Sequence, residues 1–393
     1  MGPMGPMRPI GLMRLMGLIA LMGLVGCTSD TVVVSPAEEG KGTPLELVDF
    51  LSPYESVEAS DASKPKQATA LTRSWSPPSG YVVPAGHEAI GAFFTTSPST
   101  SDPYRIYYKD EEDKWYLKGV KGTEDDDITA GSYKLYGYMP YNAADASIAP
   151  NTDYDDGAVL TLRDLKSVMT QDVCVLVGAK DGTGAETVTG LQTGHFGCTM
   201  KSGGTGNENY LFMLFDHIYA ALSFRFRMDE DYARLRTIHL KQLMLTAYTD
   251  NTFTSLKKKK MTTTIALKKN DDDLSPIQSI SFEDDDESGD MEPITVFTGE
   301  EVLGTGDDWT DDIAYVPYTA DSYVLRSIYD VYDKKGNLIR QNCAAENMIT
   351  PLAILNLASL ERGKKYILKL TIAPTYLYVL SDPDLDNPTV VVD

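Results

Sequence analysis

The sequence predicts an all-β protein built from packed antiparallel sandwiches, and three observations carry that reading. Short stretches rich in Tyr, Phe, Val and Thr recur at near-even spacing, separated by Gly, Pro, Asp and Ser. Strands and turns alternate in this way in sandwiches, not in parallel α/β units. Alternation is plain at Tyr133-Lys134-Leu135-Tyr136-Gly137-Tyr138, the period of a strand with one buried face. The 23 tyrosines fit half-buried strands, where the ring packs in the core and the hydroxyl reaches a polar partner.

In chain order, the start carries Arg8 and Arg14 and no acid, and the run from Leu15 to Gly26 has no charge. That is the layout of a secretory signal, a basic n-region followed by an apolar h-region. The run is too short for a bilayer span, which needs roughly 20 residues. Leu24-Val25-Gly26 stands directly before Cys27 and resembles the bacterial lipobox. The lipobox implies that residues 1–26 are removed and Cys27 is acylated, and several acyl chains on one residue give stable anchoring. The rival reading is an ordinary signal peptide with an incidental cysteine.

Residues 27–73 read as a polar tether holding one strand, "PLELVDFL". From Ser74 the chain is strand-like almost throughout, in "AIGAFFTT", "PYRIYYKD", "KWYLKGV", "GSYKLYGYMPY", "AVLTL" and "DVCVLVGA". The Gly/Ser/Asn-rich "TMKSGGTGNENY" breaks the pattern and places a domain boundary between residues 205 and 206. "LFMLFDHIYAALSFRFRM" then opens a second block, in which Phe224, Phe226 and Met228 alternate with Arg225 and Arg227. "DEDYARLR" reads as a turn or short helix and "TIHLKQLMLTAY" as a strand. "SIYDVYDKKGNLI" reads as a hairpin with Lys335-Gly336-Asn337 at its tip. A turn at Gly363 precedes a strand from Tyr366 to Ile372, and the tail holds two more apolar pieces, Tyr376–Leu380 and Val390–Val392.

Composition bounds the function. At 393 residues and 42% apolar the chain can fill two cores. A net charge of −22 argues against nucleic acid, which needs a basic face. Beyond Cys27 only Cys174, Cys198 and Cys343 remain, an odd number that argues against a disulfide framework. Cys174, in an apolar strand, reads as a core thiol, with a Cys174–Cys198 bridge as the lesser alternative. His87, His195, His217 and His239 have no metal-ligand spacing along the chain. Asp382, Asp384 and Asp386 share the first three spacings of a calcium loop but lack its later glycine and glutamate. "LKKKKM" reads as a charged hairpin edge. The carboxylates sit in surface-like runs, and no nucleophile elbow, phosphate loop or zinc-protease motif is present. The expectation is a protein that is not an enzyme and takes no metal or other cofactor.

The lipobox cysteine, the polar tether, a Thr-Arg step and "IGAFFTT" early in an all-β chain resemble the fimbrillins, the type V pilus subunits of Bacteroidales-type bacteria. "FDHIYAALSFRFRM", with Phe215, His217 and Ala220, and the closing "YILKLTIAPTYLYVLSDPDLDNPTVVVD" strengthen the likeness. The resemblance implies two tandem transthyretin-like sandwich domains, here 74–205 and 206–393, behind a signal peptide and an N-terminal strand. It implies a lipid-anchored precursor at the outer membrane, an Arg-specific protease, and an extracellular pilus that is a homopolymer with other pilin subunits and binds host or bacterial surface ligands. Arg73 stands alone among small residues before a Pro-rich turn in "ATALTRSWSPP", where proteases reach backbone. Cutting between Arg73 and Ser74 would release residues 27–73 and open a groove for a donor strand. The candidate donor is the tail, with Tyr376, Tyr378, Leu380, Val390 and Val392 as its apolar knobs. Two alternatives stay open. One is a tip or anchor subunit that keeps its lipid. The other is a glycan-binding lipoprotein that stacks sugars on Trp75, Trp115 or Trp309.

Overall fold

The computed structural model describes residues 43–57, 80–96, 102–120, 128–151, 157–182, 190–201, 209–248, 252–253, 260–267, 276–284, 293–306, 313–318, 322–350, 359–375 and 384–392. Among the described residues the chain forms 21 strands, one short α-helix and one 3-10 turn at Tyr141–Ala143. The first seven strands are β1 (Thr43–Leu51), β2 (Glu55–Val57), β3 (Ile90–Thr95), β4 (Tyr104–Lys109), β5 (Lys114–Val120), β6 (Gly131–Met139) and β7 (Asp145–Pro150). Then come β8 (Ala158–Lys166), β9 (Cys174–Gly182), β10 (Gly197–Met200), β11 (Asn209–His217) and β12 (Ala220–Met228), followed by helix α1 (Glu230–Leu235). The next five are β13 (Arg236–Tyr248), β14 (Lys260–Leu267), β15 (Ile277–Asp284), β16 (Ile294–Val302) and β17 (Ile313–Val316). The last four are β18 (Ser322–Asp333), β19 (Leu338–Ile349), β20 (Lys364–Thr375) and β21 (Asp384–Val392).

These strands form four sheets. The largest has eight strands in the order β10-β6-β3-β4-β5-β1-β11-β9, and β6 also pairs with β9, so the sheet closes on itself like a barrel. Closure rests on two residue pairs, Tyr138 with Val175 and Met139 with Cys174. One face of the closed sheet is lined by Leu45, Leu47, Ile106, Trp115, Leu135, Leu176 and Met213, which form one core. The other face, through Phe93, Tyr136, Val175 and Leu214, packs on a four-stranded sheet β15-β14-β8-β7 carrying Ile148, Leu160 and Ile265. The hairpin β14–β15 thus joins strands β7 and β8, which precede it by about a hundred residues. The remaining sheets, β17-β12-β20-β2 with β21 on β20, and β16-β13-β18-β19, share a third core built on Phe224, Phe226, Leu243, Tyr329 and Leu368.

Local chemistry explains the elements. β11, "NYLFMLFDH", is an almost unbroken apolar run because it lies inside the closed sheet with partners on both sides and both faces covered. β12 alternates at its end because Phe224, Phe226 and Met228 are buried while Arg225 and Arg227 are half-exposed. The Asp229 side chain caps α1 by accepting from the Asp231 and Tyr232 amides at 3.0 Å each. The β18–β19 turn forms as predicted: Gly336 takes φ +84°, and Asp333 accepts from the Lys335 and Asn337 amides at 2.8 Å.

The fold departs from expectation in two places. Two sheets are mixed, not antiparallel. β1 runs parallel to β11 and β12 parallel to β20, which the long stretches between each pair permit, since neither pair is a hairpin. Lys260, last of the lysine run, opens β14, an interior strand between β8 and β15, and residues 254–259 lie outside the described residues. Among the described residues Cys174, Cys198 and Cys343 form no disulfide, so Cys174 is the core thiol the sequence predicts and the alternative Cys174–Cys198 bridge does not form.

Candidate assembly site

The predicted strand "PLELVDFL" is β1, and it is neither an edge nor an add-on. It sits inside the closed sheet, antiparallel to β5 from Thr43 to Leu45 and parallel to β11 from Leu45 to Leu51. Its burial alternates, so Leu45 and Leu47 enter one core while Phe50, fully buried, enters the core on the opposite face. Asp49 continues the face of Leu45 and Leu47. It is 6% exposed, and its Oδ2 has no hydrogen-bond partner. Burial pushes its carboxyl up from 3.8 to about 6, only partly offset by its own backbone N–H. The expectation that no acid stands alone in an apolar strand therefore fails at Asp49. Leu45 and Leu47, at the same period-2 positions of the strand, signalled the burial, and the acids elsewhere in the chain masked it.

Beyond β1 the chain crosses the end of β9 and β11. The Leu51 and Val82 backbones exchange hydrogen bonds at 2.8 and 2.9 Å, and the Ser52 amide donates to the Phe215 carbonyl at 3.0 Å. Under this crossing lie Asp172, Cys174 and His217, whose ligand atoms all fall within 4.8 Å of one another. His217 and Cys174 are cross-strand partners, and Asp172 lies two residues before Cys174. His217 Nδ1 is 2.6 Å from Asp172 Oδ2 and 3.4 Å from Cys174 Sγ, and Cys174 Sγ is 3.6 Å from Asp172 Oδ2. His217 Nε2 meets the Ser52 carbonyl at 2.5 Å. That oxygen only accepts, so Nε2 carries a proton. Tyr54 stacks on the imidazole with centroids 3.7 Å apart and donates its hydroxyl to Asp172 Oδ1 at 2.9 Å. Burial, reinforced by Asp172, pushes the Cys174 thiol and the Tyr54 hydroxyl well up. Arg362 donates to the His217 carbonyl at 3.0 Å and faces Asp216, which also accepts from Tyr81 at 2.8 Å. Spacing along the sequence gave no hint of this cluster, because its members stand 43 and 45 residues apart.

The segment then continues into β2, which runs parallel to β20 from Lys364 to Tyr366. β21 pairs antiparallel with β20 farther along, Leu370 with Val392 and Ile372 with Val390. Val390 and Val392 thus lie on a strand paired with this chain's own β20. Tyr376, Tyr378 and Leu380 lie outside the described residues, as do Cys27, Arg73 and Ser74. Of the candidate sugar platforms, Trp115 is 5% exposed within a core, while Trp75 and Trp309 lie outside the described residues.

No family model matches this sequence, and no curated protein matches it. Solved structures are similar at low identity. A fimbrial protein from Bacteroides vulgatus is 14% identical with a TM-score of 0.30, over 77% of this chain and 91% of the other. The fimbrial anchor protein Mfa2 from Porphyromonas gingivalis is 9% identical with a TM-score of 0.23, over 89% and 96%. A candidate cell adhesion protein from Bacteroides uniformis is 12% identical with a TM-score of 0.35, over 90% and 98%.

Proposed function

We propose that this chain is the precursor of a pilus subunit, lipidated at Cys27, cut between Arg73 and Ser74, and polymerised by strand exchange. It is a structural, adhesive protein, first held at the outer membrane by its lipid and then part of an extracellular pilus. The observation that supports this best is the position of β1. A strand that precedes Arg73 lies inside the closed sheet, between β5 and β11. After a cut at Arg73, β1 is a non-covalent ligand, and its departure leaves two unpaired edges facing across an apolar slot. A strand from the next subunit satisfies those backbone groups and fills the Leu45 and Leu47 positions with alternate side chains. Tyr376, Tyr378 and Leu380 have that alternation in the sequence. Donor and slot are different surfaces, so the contact is heterologous and extends into a filament. The division into transthyretin-like halves, 74–205 and 206–393, belongs to this reading, with β11 and the β14–β15 hairpin both reaching across it into the sheets of the first half.

The pairing of β21 with β20 favours a second reading, a tip or anchor subunit that keeps its tail to itself and its lipid on Cys27. Treating the purified precursor with an Arg-specific protease separates the two. Expected for the stalk subunit are a new N-terminus at Ser74, loss of residues 27–73 and a ladder of polymers. Arg73→Ala should block all three, and deletion after Pro374 should leave cleaved monomers. A chain that is cut yet keeps β1 and stays monomeric would move the assignment to the anchor or tip.

A further inference from the structure

We infer that Asp172, Cys174 and His217 bind a zinc-class divalent cation, under the cover of Ser52 and Tyr54. The three side chains supply the carboxylate, thiolate and imidazole that zinc takes. The backbone brings them together, because His217 and Cys174 are paired across β9 and β11 and Asp172, two residues before Cys174, reaches both.

The distances fit. Tetrahedral zinc, with its sulfur at about 2.3 Å and its nitrogen and oxygen at about 2.0–2.2 Å, sets its sulfur about 3.5–3.6 Å from the other two ligand atoms. Here sulfur lies 3.4 Å from Nδ1 and 3.6 Å from Oδ2. The third edge, 2.6 Å between Nδ1 and Oδ2, is a hydrogen bond; the metal displaces its proton and that of the Cys174 thiol to solvent, and opening the edge by about 0.7 Å completes the tetrahedral face. Asp172 has room for that movement, since its side chain is 19% exposed against 2% for His217.

The surroundings also fit a metal better than a catalytic relay. In a relay one ring nitrogen faces the nucleophile and the other the carboxylate, whereas here Nδ1 alone faces both sulfur and carboxylate. Nε2 instead donates to the Ser52 carbonyl, which fixes the tautomer that leaves Nδ1 to a metal. Tyr54 holds the other carboxylate oxygen. A carbonyl orienting the histidine and a donor orienting the carboxylate are the outer contacts that metal ligands keep. Because both come from residues 52–54, the metal would tie the first segment of the chain to the ends of β9 and β11.

The test is cobalt titration of the full chain after chelator treatment, followed by zinc competition. One equivalent of Co²⁺ should bind with a thiolate-to-cobalt charge-transfer band that zinc abolishes. Cys174→Ser should lose the band, while Cys198→Ser and Cys343→Ser should keep it. Tyr54→Phe should keep it with affinity about 10- to 100-fold weaker. A wild-type chain without the band, or a band that survives Cys174→Ser, would overturn the site. Should Cys174→Ser lose its β-sheet circular dichroism, Asp172→Asn decides instead. Weakening of more than about tenfold supports the site, and unchanged affinity overturns it.

Discussion

Asp49→Asn should make the closed sheet more stable at pH 7 and leave it unchanged at pH 4. The gap between 3.8 and about 6 for the Asp49 carboxyl, at about 1.4 kcal/mol per pKa unit, amounts to about 3 kcal/mol. The sign follows from a folded-state value raised above the unfolded one. The native state binds the proton more tightly, so the associated stability is fully present below pH 3.8 and is lost as pH rises to about 6. Above that the charged form is buried without a partner for Oδ2. Asparagine has the same shape and, like the protonated acid, places an unpaired donor there, so the two proteins should match at low pH and diverge by about 3 kcal/mol at neutral pH. Urea unfolding followed by Trp115 fluorescence, with Trp75 and Trp309 replaced by Phe, reads this locally, because Trp115 on β5 is the register partner of Leu45 on β1. The chain's general negative charge also tilts stability with pH, so the difference between the two proteins is the measured quantity. A difference that stays flat from pH 4 to pH 7 would refute the reasoning, since the titrating group would then lie elsewhere.

Other expectations follow from packing. A Cβ at Gly137 would lie 2.6 Å from the Gly91 carbonyl oxygen, so Gly137→Ala should destabilise the β3–β6 pairing by about 1–3 kcal/mol, seen as a lower urea midpoint. Asp229→Ala removes both side-chain bonds to the α1 amides and should lower stability by about 1 kcal/mol, checked by the same unfolding curve.

Much of the fold was legible in the sequence because strand signals are local. "PLELVDFL" and "LFMLF" announce strands by composition alone, and Lys335-Gly336-Asn337 announces its turn. Pairing is not local. Nothing near Leu45 states that its partner on one side is Asn209 and on the other Trp115, so neither the interior place of β1 nor its parallel run was readable. Threonine-rich β14 was missed because "KMTTTIAL" is only weakly apolar and lies between lysine and aspartate runs. The Asp172–Cys174–His217 cluster left one trace. Asp172 and His217 each stand at the end of an apolar strand, where a polar side chain ordinarily meets water. Only the crossing of residues 51–54 turns those ends into an interior.

That crossing gives β1 an energetic character suited to exchange. Leu45, Leu47 and Phe50 are each at most 7% exposed, and burial of each contributes about 1.5–3 kcal/mol. Asp49 opposes them by about 3 kcal/mol at neutral pH. The strand is therefore held well while covalently attached, yet it is a poorer occupant of its own slot than a strand without the acid. The tail sequence "TYLYVL" alternates Tyr376, Tyr378 and Leu380 and carries no charge. On the pilus reading, this difference biases exchange away from β1 once the link at Arg73 is cut. Asp49→Leu should then trap the cleaved chain with its own β1, and polymerisation, followed by light scattering after protease addition, should slow by about 100-fold, the equivalent of about 3 kcal/mol. An unchanged rate with Asp49→Leu, in a chain still cut at Arg73, would mean that departure of β1 does not limit assembly and that the buried acid has no part in it.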